Sequence, residues 1–171
     1  MVEPVVFQIV GFKNSGKTTL VQAVIRELLK QGYAAVTIKH HGHGGKPDVL
    51  EDKDTSLHMR AGALASLAEG EGSILIQADN LDWPLERLIQ LMTAFGPDII
   101  LIEGYKKECY PKAVIARNLE EAENLSRLDN VHAAITPLLP EEAHPYFGKK
   151  PVWPSSEAAE KLAAYIISLL Q

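Results

Sequence analysis

GFKNSGKT, residues 11–18, decides the fold of this chain. It satisfies G-x-x-x-x-G-K-[S/T] at every fixed position. Gly11 and Gly16 permit backbone angles that a β-carbon resists, so the loop between them can turn successive N–H groups inward. Lys17 adds a point charge for the β- and γ-phosphates of a nucleotide, and Thr18 offers a hydroxyl to Mg²⁺. A helix opening at this point aims its positive dipole end at the same anion. Gly11, Lys13, Asn14, Ser15, Gly16, Lys17, Thr18 and Thr19 are therefore the candidate phosphate-binding residues. The bland alternative is an accidental glycine-rich turn, and the flanking sequence argues against it.

Upstream, residues 5–10 form a β-branched and aromatic run that is apolar on both faces, which reads as a buried strand. Downstream, residues 18–31 have helical period, with Leu20, Val21, Val24, Ile25, Leu28 and Leu29 on one stripe and Gly32 at the expected C-cap. Residues 34–39 are a second strand. Strand, helix and strand at this spacing make a βαβ unit with parallel strands. Further along, residues 55–60 read as a short helix closed by Ala61 and Gly62. Residues 65–68 and 73–78 read as a hairpin turning at 69–72. Residues 84–95, 120–127 and 156–170 read as helices, and 98–102, 112–116 and 131–135 as strands. The predicted architecture is α/β: a P-loop NTPase three-layer sandwich with helices on both faces of a mostly parallel sheet. The hairpin would make that sheet mixed. The 171 residues suit one nucleotide-binding domain, 1–171.

Composition narrows the function classes. The chain is 46% hydrophobic and 23% charged, ordinary values for a globular protein. A net charge of -5 supplies no global electrostatic footprint for nucleic acid. No apolar run reaches the roughly 20 residues of a membrane span. MVEPVVFQIVG at the start has no basic segment or small-residue cleavage site, so it does not read as a secretory signal. Cys109 is the single cysteine; it cannot form an intrachain disulfide, which fits a reducing compartment. Its flanks, KKECYPK, show no activating base, so it reads as a plain thiol. The expectation is a cytoplasmic protein without nucleic-acid or membrane partners.

A P-loop needs a carboxylate near its metal, at the end of a nearby strand. DIILIEG, residues 98–104, contains two. Ligands of open α/β sheets bind outside the carboxyl ends of the strands. That selects Glu103 for a metal-associated or water-positioning role and leaves Asp98 as a solvated residue at the strand start. The histidine-rich stretch HHGHGGKPDVLEDKD, residues 40–54, leaves the carboxyl end of the second strand. His40, His41, His43 and the more distant His58 invite a metal reading, but there is no second cluster and no second thiol. Lys39, His40 and Arg60 can instead meet an anionic second ligand, and a solvated surface is the alternative. The N-K-x-D segment of Ras-type GTPases is missing: Asn118 is followed by Leu119 and Asn130 by Val131. An arginine-rich lid is missing too, with Arg117 and Arg127 isolated in sequence. A slow NTPase, or one completed by a partner, fits these gaps. The competing reading is a small-molecule kinase that uses ATP and holds its acceptor in the histidine-rich loop. A nucleotide-gated partner switch with no cofactor link is a third.

Four segments fall in a common order and spacing: GFKNSGKTTL at 11–20, TIKHH at 37–41, DKDTSLHMRAGA at 52–63 and IEGYK at 102–106. Together they resemble the molybdopterin-guanine dinucleotide biosynthesis protein B (MobB) family. The resemblance covers most of the chain and is weakest after about Ala116. It implies a GTP-binding accessory protein of molybdenum cofactor maturation, within the P-loop GTPases, with GTP and Mg²⁺ as ligands and at most weak GTPase activity. It implies a homodimer working beside a MobA-type guanylyltransferase that joins GMP to molybdopterin, with molybdopterin itself a candidate ligand. By matching position, Gly16, Lys17 and Thr18 would bind phosphate and Mg²⁺, and Glu103 would sit near the metal as the catalytic candidate. Lys39, His40, Asp54, His58 and Arg60 would line the mouth of the pocket.

Overall fold

In the computed structural model, which describes residues 3–40, 54–79 and 82–170, strands and helices alternate along most of the chain. The order is β1 (Val5–Gly11), α1 (Lys17–Lys30), β2 (Ala35–Lys39), α2 (Asp54–Arg60), β3 (Ala65–Gly70), β4 (Ser73–Ala78), α3 (Leu85–Thr93), β5 (Ile99–Glu103), β6 (Lys112–Ile115), α4 (Leu119–Ser126), β7 (Val131–Ile135), α5 (Pro140–Phe147), β8 (Val152–Trp153) and α6 (Ala158–Ser168). They fall into two compact units: Met1–His40 with Leu88–Gln171, and His41–Arg87.

The first unit is built on a six-stranded sheet in the order β2-β5-β1-β6-β7-β8. Every pairing in it is parallel. Such a sheet must be covered on both faces, and the alternation of side chains along each strand supplies two apolar surfaces. Phe7 and Ile9 of β1 point to one face, where they pack with Leu20, Val24 and Leu28 of α1 and Leu162, Ala163 and Ile166 of α6. Val10 points to the other, with Val114, Ala122 and Leu125, and Ala143 and Phe147 of α5. Fully burying a side chain of this size contributes about 1.5–3 kcal/mol. Helix α1 ends as its sequence requires: Gly32 adopts φ +85°, a conformation that other residues resist. Asn118 caps α4, its side chain accepting from the Glu121 N–H at 2.9 Å.

Parallel pairing brings all six carboxyl ends to one edge. The chain leaves β1 through α1 to reach β2, two positions away, then returns to β5 between them and crosses to β6 on the far side of β1. That reversal puts the crevice for ligands beyond β1, β5 and β6.

Two elements of this unit are absent from the sequence reading. Helix α5 carries Pro140 in its first turn and Pro145 inside, which hides its period. It is started by Glu142, whose carboxylate accepts from the Leu139 N–H at 2.9 Å. Strand β8 has only two residues, paired with Ala134 and Ile135, too few for any alternation.

The second unit holds α2 and the β3–β4 hairpin. The hairpin expectation holds, but its strands run to Gly70 and start at Ser73, so the turn is the pair Glu71–Gly72 rather than 69–72. Both turn residues have positive φ, +50° and +78°, as a type I′ turn demands. Among the described residues the two hairpin strands pair with each other as a separate two-stranded sheet, so the large sheet is not made mixed by them. Helix α2 packs against both of its strands.

Candidate functional site

Strand β1 delivers Gly11 at the carboxyl edge, opposite Ile115 of β6. A β-carbon at Gly11 would lie 2.5 Å from Ser15 Oγ and 3.1 Å from the Ile115 carbonyl oxygen, so only glycine fits. The chain then folds back on itself: the Ser15 N–H donates to the Phe12 carbonyl at 3.3 Å. Asn14 and Gly16 have φ +58° and +87°. Alternating positive φ of this kind turns N–H groups into a concave nest for an anion. Gly16 is the N-cap of α1, so the unpaired N–H groups of that helix's first turn open onto the loop. Lys13, Asn14, Thr18 and Thr19 are exposed there, while Ser15 is buried. Ser15 Oγ has no hydrogen-bond partner among the described residues. A buried hydroxyl without a partner is costly, and a phosphate oxygen would supply an acceptor.

Lys17 curls over the loop and donates from Nζ to the Phe12 carbonyl at 2.6 Å. Burial lowers its pKa; the Glu103 carboxylate opposes this, and the cations Lys39 and Arg117 add to it. Thr18 Oγ1 donates to Glu103 Oε1 at 2.8 Å. Glu103 ends β5, and Lys39 ends β2 directly beside it in register. Lys39 Nζ donates to Thr18 Oγ1 at 3.3 Å and lies 3.4 Å from Glu103 Oε1. A hydroxyl and a carboxylate oxygen therefore already share one cationic group. Both are the hard oxygen donors that Mg²⁺ takes, so the residues present fit that ion. Asp98 lies at the opposite end of β5 and accepts from the Ala34 N–H at 2.7 Å, as a strand-start residue should.

His40 continues β2 past Lys39. Its N–H donates to the Glu103 carbonyl at 3.0 Å, and its ring lies 4.5 Å from that of Tyr105. A β-carbon on Gly104, which has φ +100°, would come within 3.1 Å of His40 Cβ. The fold thus gathers Thr18, Lys39, His40 and Glu103 from three separate segments. Asp54, His58 and Arg60 belong to α2 of the second unit. There His58 Nδ1 and Ser66 Oγ are 3.4 Å apart. His41 and His43 lie outside the described residues. No group of three or more metal-ligating side chains occurs among the described residues.

Three contributors to the site escape a sequence reading. Gln8, fully buried in β1, donates from Nε2 to the carbonyls of Gly104 and Tyr105 at 3.1 and 2.8 Å, bracing the turn that follows Glu103. Lys106 Nζ lies 3.9 Å from the centroid of the Phe12 ring. Arg117, isolated in sequence, is paired with Glu121: its backbone N–H donates to Oε2 at 2.9 Å and its guanidinium holds Oε1. The pairing draws the Glu121 carboxyl below its usual range. Only Lys106 had a signal, as the last residue of IEGYK.

With this geometry in place, likeness to known proteins can be weighed. Residues 6–137 match the family described as MobB, molybdopterin guanine dinucleotide synthesis protein B. The chain is 45% identical over 128 residues to a probable molybdopterin-guanine dinucleotide biosynthesis adapter protein of Bacillus subtilis, covering 74% of this chain and 72% of that one. It is 31% identical over 135 residues to the molybdopterin-guanine dinucleotide biosynthesis adapter protein of Haemophilus influenzae, covering 78% and 75%. A crystal structure of Bacillus subtilis MobB superposes with a TM-score of 0.77 at 33% identity, covering 98% of both chains. The reading as an ATP-using small-molecule kinase is not favoured by these likenesses. Adapter proteins and MobB structures, with the P-loop and its parallel sheet, agree on one conclusion: the chain belongs to the MobB family of P-loop NTPases, a family whose fold implies binding of a nucleotide with Mg²⁺.

Proposed function

We propose that this chain is a GTP-binding adapter of molybdopterin-guanine dinucleotide biosynthesis. It holds GTP with Mg²⁺ and presents nucleotide to a MobA-type guanylyltransferase in the cytoplasm, with molybdopterin a candidate second ligand. The observation that carries nucleotide binding is the cluster of Thr18 Oγ1, Glu103 Oε1 and Lys39 Nζ at the mouth of the glycine loop. In this reading Gly11, Lys13, Asn14, Ser15, Gly16, Lys17, Thr18 and Thr19 cradle the phosphates, and Thr18 and Glu103 hold the metal. The names of the relatives support the adapter role. At most weak hydrolysis belongs to this reading: the sequence has no arginine-rich lid, and Arg117 is paired with Glu121. In the first unit Lys39 and His40 are the residues for a second anionic ligand; the other candidates, Asp54, His58 and Arg60, lie on α2 of the second unit. No helix among the described residues is long and apolar enough to cross a membrane, which is consistent with a cytoplasmic place.

The chain acts as a homodimer. Support comes from the hairpin, where Leu67, Ile74, Leu75 and Ile76 are exposed. Contiguous apolar surface of this kind marks an interaction site.

Calorimetric titration with GTP and with ATP, each with Mg²⁺, tests the central reading. Preference for GTP, lost together with all triphosphate binding in a folded Lys17→Ala variant, is the expected result. Preference for ATP, or unchanged affinity in Lys17→Ala, overturns it.

A further inference from the structure

Residues 104–111 join β5 to β6, two parallel strands on opposite sides of β1. Such a crossover is ordinarily made by a helix whose apolar stripe covers the sheet. This one contains neither helix nor strand, so it lays bare backbone carbonyls over the sheet. The chain meets them with donors. Gln8 Nε2 reaches the Gly104 and Tyr105 carbonyls, and the Gln8 N–H reaches that of Pro111 at 2.8 Å. Lys112 Nζ donates to the Glu108 carbonyl at 2.7 Å, and Asn130 Nδ2 to that of Cys109 at 2.8 Å. Gln8 and Lys112 are register partners and both are fully buried. Two long polar side chains in the middle of a parallel sheet would be destabilising without such acceptors, by about 1–3 kcal/mol for each group left unpaired. The main chain of the crossover is therefore pinned at Gly104, Tyr105, Glu108, Cys109 and Pro111. Tyr105, held at φ +54°, sets the corner from which Lys106 departs.

The Lys106 side chain extends from this backbone towards the phosphate loop. Its ammonium rests on the face of Phe12, the loop residue whose carbonyl receives Lys17. Two ammonium groups thus converge on one residue of the phosphate loop. Burial lowers the pKa of Lys106, and the positive charge of Lys17 lowers it further, while Glu121 opposes both. An aromatic face is a weak partner for a cation, worth about 0.5–2 kcal/mol, and a phosphate oxygen is a stronger one.

We infer that Lys106 is a second phosphate-contacting cation, which leaves the Phe12 ring for the terminal phosphate of a bound nucleoside triphosphate and so distinguishes triphosphate from diphosphate. The inference rests on the nucleotide-binding reading above and assigns that site a selectivity residue. The test is calorimetric titration of the full chain with a non-hydrolysable GTP analogue and with GDP, both with Mg²⁺. Lys106→Gln should weaken the triphosphate analogue about tenfold and GDP less than about twofold, a loss of roughly 1.4 kcal/mol confined to the triphosphate. Lys106→Arg, which keeps the charge, should restore most of the difference. Unchanged selectivity in Lys106→Gln would mean that Lys106 only packs on Phe12. An equal loss for both nucleotides would mean that it merely supports the loop, and either result overturns the inference. If the unaltered chain binds neither nucleotide, the nucleotide-binding reading fails and the inference falls with it. If the unaltered chain binds both and only the selectivity fails, that reading stands.

Discussion

In the first unit Phe7, Ile9, Val24, Leu28, Leu101 and Leu162 are fully buried between sheet and helices, whereas on α2 and β3 of the second the buried side chains are Thr55, Ser56 and Ser66. The aliphatic side chains of the hairpin, Leu67, Ile74, Leu75 and Ile76, stand 42–58% exposed instead. Ile74, Leu75 and Ile76 are consecutive, so both faces of the ribbon are apolar and exposed. A two-stranded ribbon with one short helix is marginal on its own. The first unit draws its stability from its own core. The second carries exposed apolar surface on its hairpin.

The comparison breaks most visibly in stability. Leu162→Ala should lower the unfolding free energy by about 2–5 kcal/mol, because it opens a cavity under α6. Leu67→Ala should change it by less than about 0.5 kcal/mol as an exposed substitution. Urea unfolding of the two variants measures both, and equal losses would erase the distinction. The next effect is on assembly. Leu75→Asp should weaken self-association by about 2 kcal/mol, seen in sedimentation equilibrium, while nucleotide affinity stays as it was. A dimer as tight as before would remove the hairpin from the interface. A smaller effect falls on the chemistry of the first unit. Glu103→Gln should slow Mg²⁺-dependent hydrolysis roughly tenfold, with less effect on binding. Phosphate release at equal rates in both proteins would place Glu103 away from the metal.

The smallest effect is a gradual acid sensitivity located in the first unit. His132 is held neutral by burial and by the cations Lys150 and Lys112, its pKa below the ordinary value, while its ring contacts Tyr165 and Asn130 at 2.6 and 2.7 Å. The unfolded chain therefore takes up a proton first, and this stability is present above about pH 6.5 and lost as pH falls through the lowered value. Glu121, drawn down by its hydrogen bonds to Arg117, behaves the same way in a lower window: its contribution is present above the ordinary carboxylate range and lost as pH falls below it. Thermal melting at a series of pH values should show Glu121→Gln flattening the lower limb and leaving the upper one in place. An unaltered lower limb would mean that the Arg117 pair contributes nothing to stability.

The phosphate loop was legible because its requirements are local. Gly11 and Gly16 are demanded by close approach and backbone angle within eight residues, and Lys17 and Thr18 follow on the same helix turn. Glu103 was legible one step further out, since the most apolar strand identifies a buried parallel strand and its carboxyl end is the ligand end. The parallel order itself followed from β1, α1 and β2. Lys39, His40, Asp54, His58 and Arg60 could be named as candidates but not arranged.

What only the tertiary structure decided depends on neighbours far apart in the chain. Lys39 meets Thr18 and Glu103 because β2 and β5 are in register, a fact of pairing that no local pattern contains. Whether the hairpin joined the large sheet was likewise a matter of pairing, and its own turn and register are satisfied without it. Gln8 and Lys112 are polar residues fully buried within strands of the large sheet. Their purpose appears only once the helix-free crossover lays its carbonyls against them. Local sequence thus determined the backbone angles and amphipathic faces, since those are set by each residue and its near neighbours. The tertiary fold decided which buried donors found acceptors and which cations faced the phosphate loop, because hydrogen bonding and charge act through space rather than along the chain.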